Sequence, residues 1–179
     1  AYVAAYAWWE DQGVAHYVNI ADSWGWDDGD TVAVNSVKFT PQSQTILPFH
    51  ISRNQGAGAF NILARLMDGR FFAKEHMGTP PAVWVKWDGP SNDFCWSGSY
   101  YSPMEQYIHI GSCSDDGDEY DDSVILHEYG HHVSSTLSKD DNPGGPHWVT
   151  YDVDPRMAWS EGFATFFGQA VIGSPVYID

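Results

Sequence analysis

The chain has 179 residues, 43% of them apolar, with 9 Trp, 10 Tyr and 9 Phe. That is enough to bury a core, so intrinsic disorder is excluded and one domain is expected across 1–179. Against 24 Asp and Glu there are only 8 Lys and Arg, a formal charge of −16. This is the wrong footprint for a nucleic acid or an anionic membrane surface.

In chain order, residues 1–55 read as an aromatic, β-rich N-terminal part. Candidate strands are His16–Ala21, Thr31–Thr40 and Thr45–Arg53, with a turn at the Asp/Gly cluster Asp27–Asp30. Residues 56–179 hold the remaining elements. Phe60–His76 carries apolar residues at helical spacing, interrupted by Gly69, and Gly78-Thr79-Pro80-Pro81 ends it. A strand at Ala82–Trp87 and a hairpin from Phe94 to Cys113 follow. An acidic loop leads into a helix from Asp121 to Leu137. The long loop Asp140–Pro155 precedes a last helix, Met157–Val171. No segment reads as a membrane span, because Gly162 to Ile178 is broken by Gly168, Gln169, Gly173 and Pro175. Ala1–Trp9 lacks the basic start of a signal peptide, so a processed or engineered end is expected. The acidic balance, abundant Trp and two Cys fit a secreted, extracellular monomer.

Cys95 and Cys113 are equidistant from Met104 in the middle of the expected hairpin. That symmetry makes them cross-strand partners for a disulfide. Closing such a loop contributes roughly 3 kcal/mol in the chain-entropy model and implies an oxidising compartment. The alternative is a pair of buried thiols.

The segment Ser123–Val133, SVILHEYGHHV, carries the chemistry. His127 and His131 stand four apart, so a helix projects both from one face, one turn apart. Two imidazoles in that relation bind one Zn²⁺ at about 2.0–2.1 Å each. Glu128, one step round, is placed to take a proton from water, which is the H-E-x-x-H arrangement of zinc metallopeptidases. The competing reading is a core helix with two satisfied histidines. His132 points about 100° away from His131 and reads as structural or exposed.

Zinc needs a third protein ligand. The metzincin pattern is excluded, because Ser134 and Leu137 stand where it requires Gly and His. Downstream, Trp159-Ser160-Glu161-Gly162-Phe163-Ala164-Thr165 closely resembles the third-ligand segment of gluzincins, including the E-G-F-A of M1-type aminopeptidases. The resemblance is close over Asp121–Gly168 and loose from Phe60 onward. It implies an α+β, zincin-like catalytic domain with a small mixed sheet, a backing helix, an active-site helix and a glutamate helix. It also implies that His127, His131 and Glu161 are zinc ligands and that Glu128 is the general base and acid. Two departures stand out. The gap from His131 to Glu161 exceeds the family's usual spacing, the extra length Ser138–Pro155 resembling an inserted rim loop. The chain also ends 18 residues after Glu161, short of the C-terminal subdomain of many gluzincins, which implies a minimal enzyme or a truncated one.

Thermolysin-like enzymes resemble one another in a tyrosine upstream of the third ligand, the place Tyr151 occupies. His147 lies in the same loop, and either could donate a hydrogen bond to the developing oxyanion. In this family the strand before the active helix lies along the cleft. Tyr107–Ser112 takes that place, making Ile110 and Gly111 candidates for binding an extended substrate; an internal strand is the alternative. The G-x-M-E-N type glutamates that grip a free α-amino group have no match, which favours an endopeptidase over an aminopeptidase. Asp115, Asp116, Asp118, Glu119, Asp121 and Asp122 crowd the loop Ser112–Ser123, either as a Ca²⁺ site or as a solvated loop. Asp27, Asp28 and Asp30 are a weaker instance. The expected function is a secreted zinc endopeptidase acting on peptides or proteins through a zinc-bound water activated by Glu128. Its rivals are a non-catalytic module on a peptidase scaffold, an aminopeptidase-like gluzincin and a carbohydrate-active protein with paired carboxylates.

Overall fold

A computed structural model describes residues 4–11, 14–20, 31–35, 40, 50–53, 56–89, 98–113, 117–145, 147 and 152–177. The strands are β1 (Ala4–Tyr6), β2 (Trp8–Asp11), β3 (Val14–Ile20), β4 (Ala33–Asn35), β5 (Trp84–Trp87), β6 (Tyr100–Ser102) and β7 (Tyr107–Ile110). The helices are α1 (Ala57–His76), α2 (Asp122–Leu137) and α3 (Pro155–Ile172), with a 3₁₀ turn at Asp118–Tyr120. This is a mixed α+β architecture. One five-stranded sheet has the order β2-β3-β5-β7-β6, and β1 pairs with β4 separately. The inner strands β3, β5 and β7 run parallel, while β2 and β6 pair antiparallel at the two edges.

Side-chain alternation explains which face the sheet buries. Val85 and Trp87 of β5 are buried while Trp84 is exposed. Ile108 and Ile110 of β7 join them against Ile62, Leu66, Ile125 and Phe167 from the helices. Each fully buried aliphatic side chain here contributes about 1.5–3 kcal/mol. β7 is buried at all four positions and lies between β5 and β6.

The helix α1 runs from Ala57 to His76, through Gly69, where the apolar spacing is interrupted. A Cβ at Gly69 would stand 2.7 Å from the Tyr129 ring. The glycine therefore admits the α2 aromatic rather than ending the helix. Further along α1, the buried Arg70 guanidinium donates to Asp11, 3.0 Å away on β2, and Lys74 reaches the same carboxylate at 2.7 Å. The pair of cations ties the N-terminal strands to the helix, and holds the Asp11 carboxyl below its ordinary range, with Lys74 the larger cause.

Both helices that build the site begin with a side-chain cap. Asp121 accepts from the N–H groups of Ser123 and Val124, satisfying donors that α2 cannot pair internally. Asp154 does the same for α3 through Arg156, and Pro155 sits in the first turn, where its missing N–H costs nothing.

The N-terminal part departs most from expectation. β1 and β2 were not foreseen, β3 starts earlier than His16, and β4 takes Ala33–Asn35 of the expected Thr31–Thr40, of which 36–39 lie outside the described residues. Residues 50–53 carry no strand; the rest of Thr45–Arg53 and all of Asp27–Asp30 lie outside the described residues. In the hairpin, Ser102 pairs with Tyr107 across a turn closed by Gln106 at φ 56. Cys95 lies outside the described residues, and no described cysteine is free.

Candidate metal centre and cleft

Helix α2 sets His127 and His131 one turn apart, and the first turns of α3 bring Glu161 between them. His127 Nε2 and His131 Nε2 are 3.1 Å apart, and Glu161 Oε2 is 3.2 and 3.3 Å from them. A tetrahedral ion with bonds of about 2.0–2.1 Å needs donor atoms about 3.3 Å from one another. The observed edges match that figure, and two imidazole nitrogens with a carboxylate oxygen are a donor set that suits Zn²⁺. Among the described residues this is the one group of three or more such side chains that converges on a single point.

The close packing of α2 on α3 makes this convergence attainable. A Cβ at Gly130, between the two histidines, would lie 2.9 Å from the Ala164 Cα. Only glycine lets the two backbones meet at that depth.

Each imidazole is held from behind. His127 Nδ1 lies 3.1 Å from Thr165 Oγ1, and His131 Nδ1 lies 3.3 Å from Ser160 Oγ. Ser160 donates in turn to Asp140 Oδ2 at 2.9 Å, as does Ser134 Oγ at 2.6 Å, while the Asn142 N–H reaches Asp140 Oδ1 at 3.1 Å. Burial pushes the Asp140 carboxyl up, but these donors and the nearby His131 leave it below its ordinary value. Burial also raises the Glu161 carboxyl, yet hydrogen bonds from His127 and His131 more than offset this and keep it well below the carboxylate range.

Glu128 differs. Its carboxyl is buried and pushed up to about 7, chiefly by loss of water, with His127 and a Tyr101 backbone hydrogen bond opposing and Glu161 reinforcing the rise. Glu128 and the three convergent side chains line one cleft of about 310 Å³, walled on one side by Tyr100 and Tyr101 and on the other by Asn142 and His147. His147 Nε2 stands 3.5 Å from Glu161 Oε2, with its Nδ1 donating to the Gly145 carbonyl.

The mycolysin C-terminal domain family matches residues 71–179, well over half of the chain. The chain belongs to this family. Among solved structures it is similar to the precursor of protealysin, a metalloproteinase from Serratia proteamaculans. The TM-score is 0.52 at 13% identity, over 92% of this chain and 45% of that one. The chain therefore spans under half the length of that structure, and the likeness is one of fold. No curated protein matches the sequence.

Not every candidate residue of the mycolysin-type domain lines the cleft. Ile110 is wholly buried in the core, and the Gly111 N–H is taken by Ser99 Oγ at 3.1 Å. The hairpin folds β6 back along β7, so β7 has no free edge and neither residue lines the cleft. The edge beside the metal centre is β6 instead. Tyr151 lies outside the described residues. His132 is fully buried, its Nε2 3.2 Å from the Pro81 carbonyl and its Nδ1 3.4 Å from the Tyr101 hydroxyl. In the acidic loop, Asp115 and Asp116 lie outside the described residues. The others have local partners or burial: Asp118 accepts from Ser99, Asp121 caps α2, Asp122 pairs with Arg65, and Glu119 is buried. Among the described residues these acids do not converge as a cation site.

Ser160, Thr165 and Asp140 were absent from the sequence-based set. Thr165 lies four residues after Glu161, hence on its helix face, and Ser160 directly precedes it. Those two had a positional signal; Asp140, in an aperiodic loop, had none.

Proposed function

We propose that this domain is a secreted zinc endopeptidase, with His127, His131 and Glu161 as the metal ligands and Glu128 as general base and acid. The observation that carries this reading is the set of three donor atoms at tetrahedral separations beside a buried carboxyl. When bound, zinc supplies Lewis-acid chemistry, acidifying water and polarising a peptide carbonyl.

The chain's own residues do the rest. Glu128, made more basic by burial, accepts a proton from the attacking water and returns it to the departing amine. An extended substrate adds as a strand beside β6, the edge strand among the described residues, which orients the scissile bond toward the metal centre. His147 and Tyr151 are assigned to the oxygen of the reacting carbonyl, where a preorganised donor acts most strongly in the transition state. The family relation and the absence of a helix apolar enough to cross a membrane among the described residues accord with an extracellular enzyme acting on peptides. The Cys95–Cys113 disulfide and a single domain over 1–179 belong to the same reading.

The test is zinc analysis together with casein cleavage by the wild type and Glu128→Ala. The expected result is one zinc in both proteins and a rate lower by at least about 10²–10⁴-fold in the variant. Zinc without Glu128-dependent cleavage would instead favour a non-catalytic module.

A further inference from the structure

The four polar groups behind His131 form a chain with a definite direction. A serine hydroxyl has one proton, and Ser160 places it toward Asp140 Oδ2 at 2.9 Å. The Ser160 oxygen is then left as an acceptor, 3.3 Å from His131 Nδ1. An acceptor there takes a hydrogen bond from the Nδ1 proton, so Nε2, the nitrogen facing Glu161 and His127, is the one whose proton a bound metal would displace. Ser134 and the Asn142 N–H occupy the remaining capacity of the same carboxylate, so Asp140 is fixed between α2, α3 and the start of the long loop.

We propose that Asp140, acting through Ser160, is a positioning residue that fixes His131 in its Nδ1–H tautomer. This inference rests on the reading of His131 as a zinc ligand. The physical reason is that imidazole coordinates a metal only through an unprotonated nitrogen, and the hydrogen bond at the other nitrogen decides which one that is. Here the deciding carboxylate does not touch the histidine. It acts by polarising an intervening hydroxyl, and nothing in the H-E-x-x-H spacing encodes it.

Ser134 supplies the control. It gives Asp140 a hydrogen bond at least as short as that of Ser160, but lies off the path to His131. A merely structural role for Asp140 makes Ser134→Ala and Ser160→Ala equivalent; a tautomer role separates them. In Asp140→Asn the amide can donate to Ser160, turning its hydroxyl toward His131 and favouring the Nε2–H form.

The experiment has two readouts on the 179-residue chain. The first is the ¹⁵N spectrum of the His131 ring in metal-free protein. The expected result is a protonated Nδ1 in the wild type and in Ser134→Ala, with loss of the Nδ1 proton in Asp140→Asn and a mixed population in Ser160→Ala. The second is zinc affinity by competition with a chelator. Asp140→Asn and Ser160→Ala are expected to weaken binding by roughly 10–100-fold, and Ser134→Ala to leave it within a few-fold. An unchanged His131 tautomer in Asp140→Asn, or an equal loss of affinity in Ser134→Ala, would overturn the proposal. Failure of the wild type to bind zinc defeats the metallopeptidase reading alone, because the tautomer measurement needs no metal.

Discussion

His132, next along the helix from the cleft-facing His131, is buried with its imidazole pushed down to about 4. Loss of water is the main cause; the Pro81 hydrogen bond opposes it and the Arg70 charge adds to it. The fold thus requires a neutral ring. Its contribution is fully present above the unfolded value of 6.5 and is lost as the pH falls through the folded value near 4. The loss amounts to on the order of 3 kcal/mol. Urea unfolding of the metal-free chain at pH 7, 5.5 and 4 is expected to show that slope, and His132→Gln to flatten it; equal slopes would reject the account. At this scale the sequence was most readable where chemistry is local. An i, i+4 pair of histidines on a helix needs no knowledge of the fold, so His127, Glu128 and His131 stood out. The partners of those histidines come from α3 and from a loop, and their selection depends on how the two helices pack. That is why Asp140 could not be found from spacing.

At the scale of elements, glycine governs how closely the helices meet. Gly69 faces Tyr129 and Gly130 faces the Ala164 backbone, where the nearest atom cannot rotate away. Gly130→Ala gains helix propensity but forces α2 from α3, for an expected net loss of about 1–3 kcal/mol. Thermal unfolding with a parallel zinc titration should show both lower stability and weaker binding. An unchanged melting temperature would mean that the contact relaxes freely. The three long helices were legible because their apolar periodicity and stop signals are local, with end errors of a few residues. Strand order was not. By the family resemblance Tyr107–Ser112 reads as a strand along the cleft, yet the short hairpin covers the edge of β7 with β6. Pairing across a sheet is a long-range property, and the short β1 and β2 carry too little alternation to announce themselves.

For the whole molecule, the charge of −16 is best understood by where its carboxylates work. Glu128 and Glu161 face the cleft, Asp140 braces a histidine, Asp11 neutralises Arg70, and Asp121 caps the helix that carries His127 and His131. Composition argues against nucleic acid as a partner, but only the fold separates these tasks. The expected Cys95–Cys113 bridge also belongs to this scale, since it bears on the compartment in which the chain folds. Alkylation without reductant should leave both thiols unlabelled, and labelling should appear only after reduction; two labelled thiols beforehand would remove the bridge. The central claim, that His127, His131 and Glu161 hold zinc, is tested most directly by X-ray absorption at the zinc edge on the metal-loaded chain. The account predicts a site of nitrogen and oxygen donors at about 2.0–2.2 Å that includes two imidazoles. A sulfur donor near about 2.3 Å, or zinc with no imidazole in its shell, would contradict it.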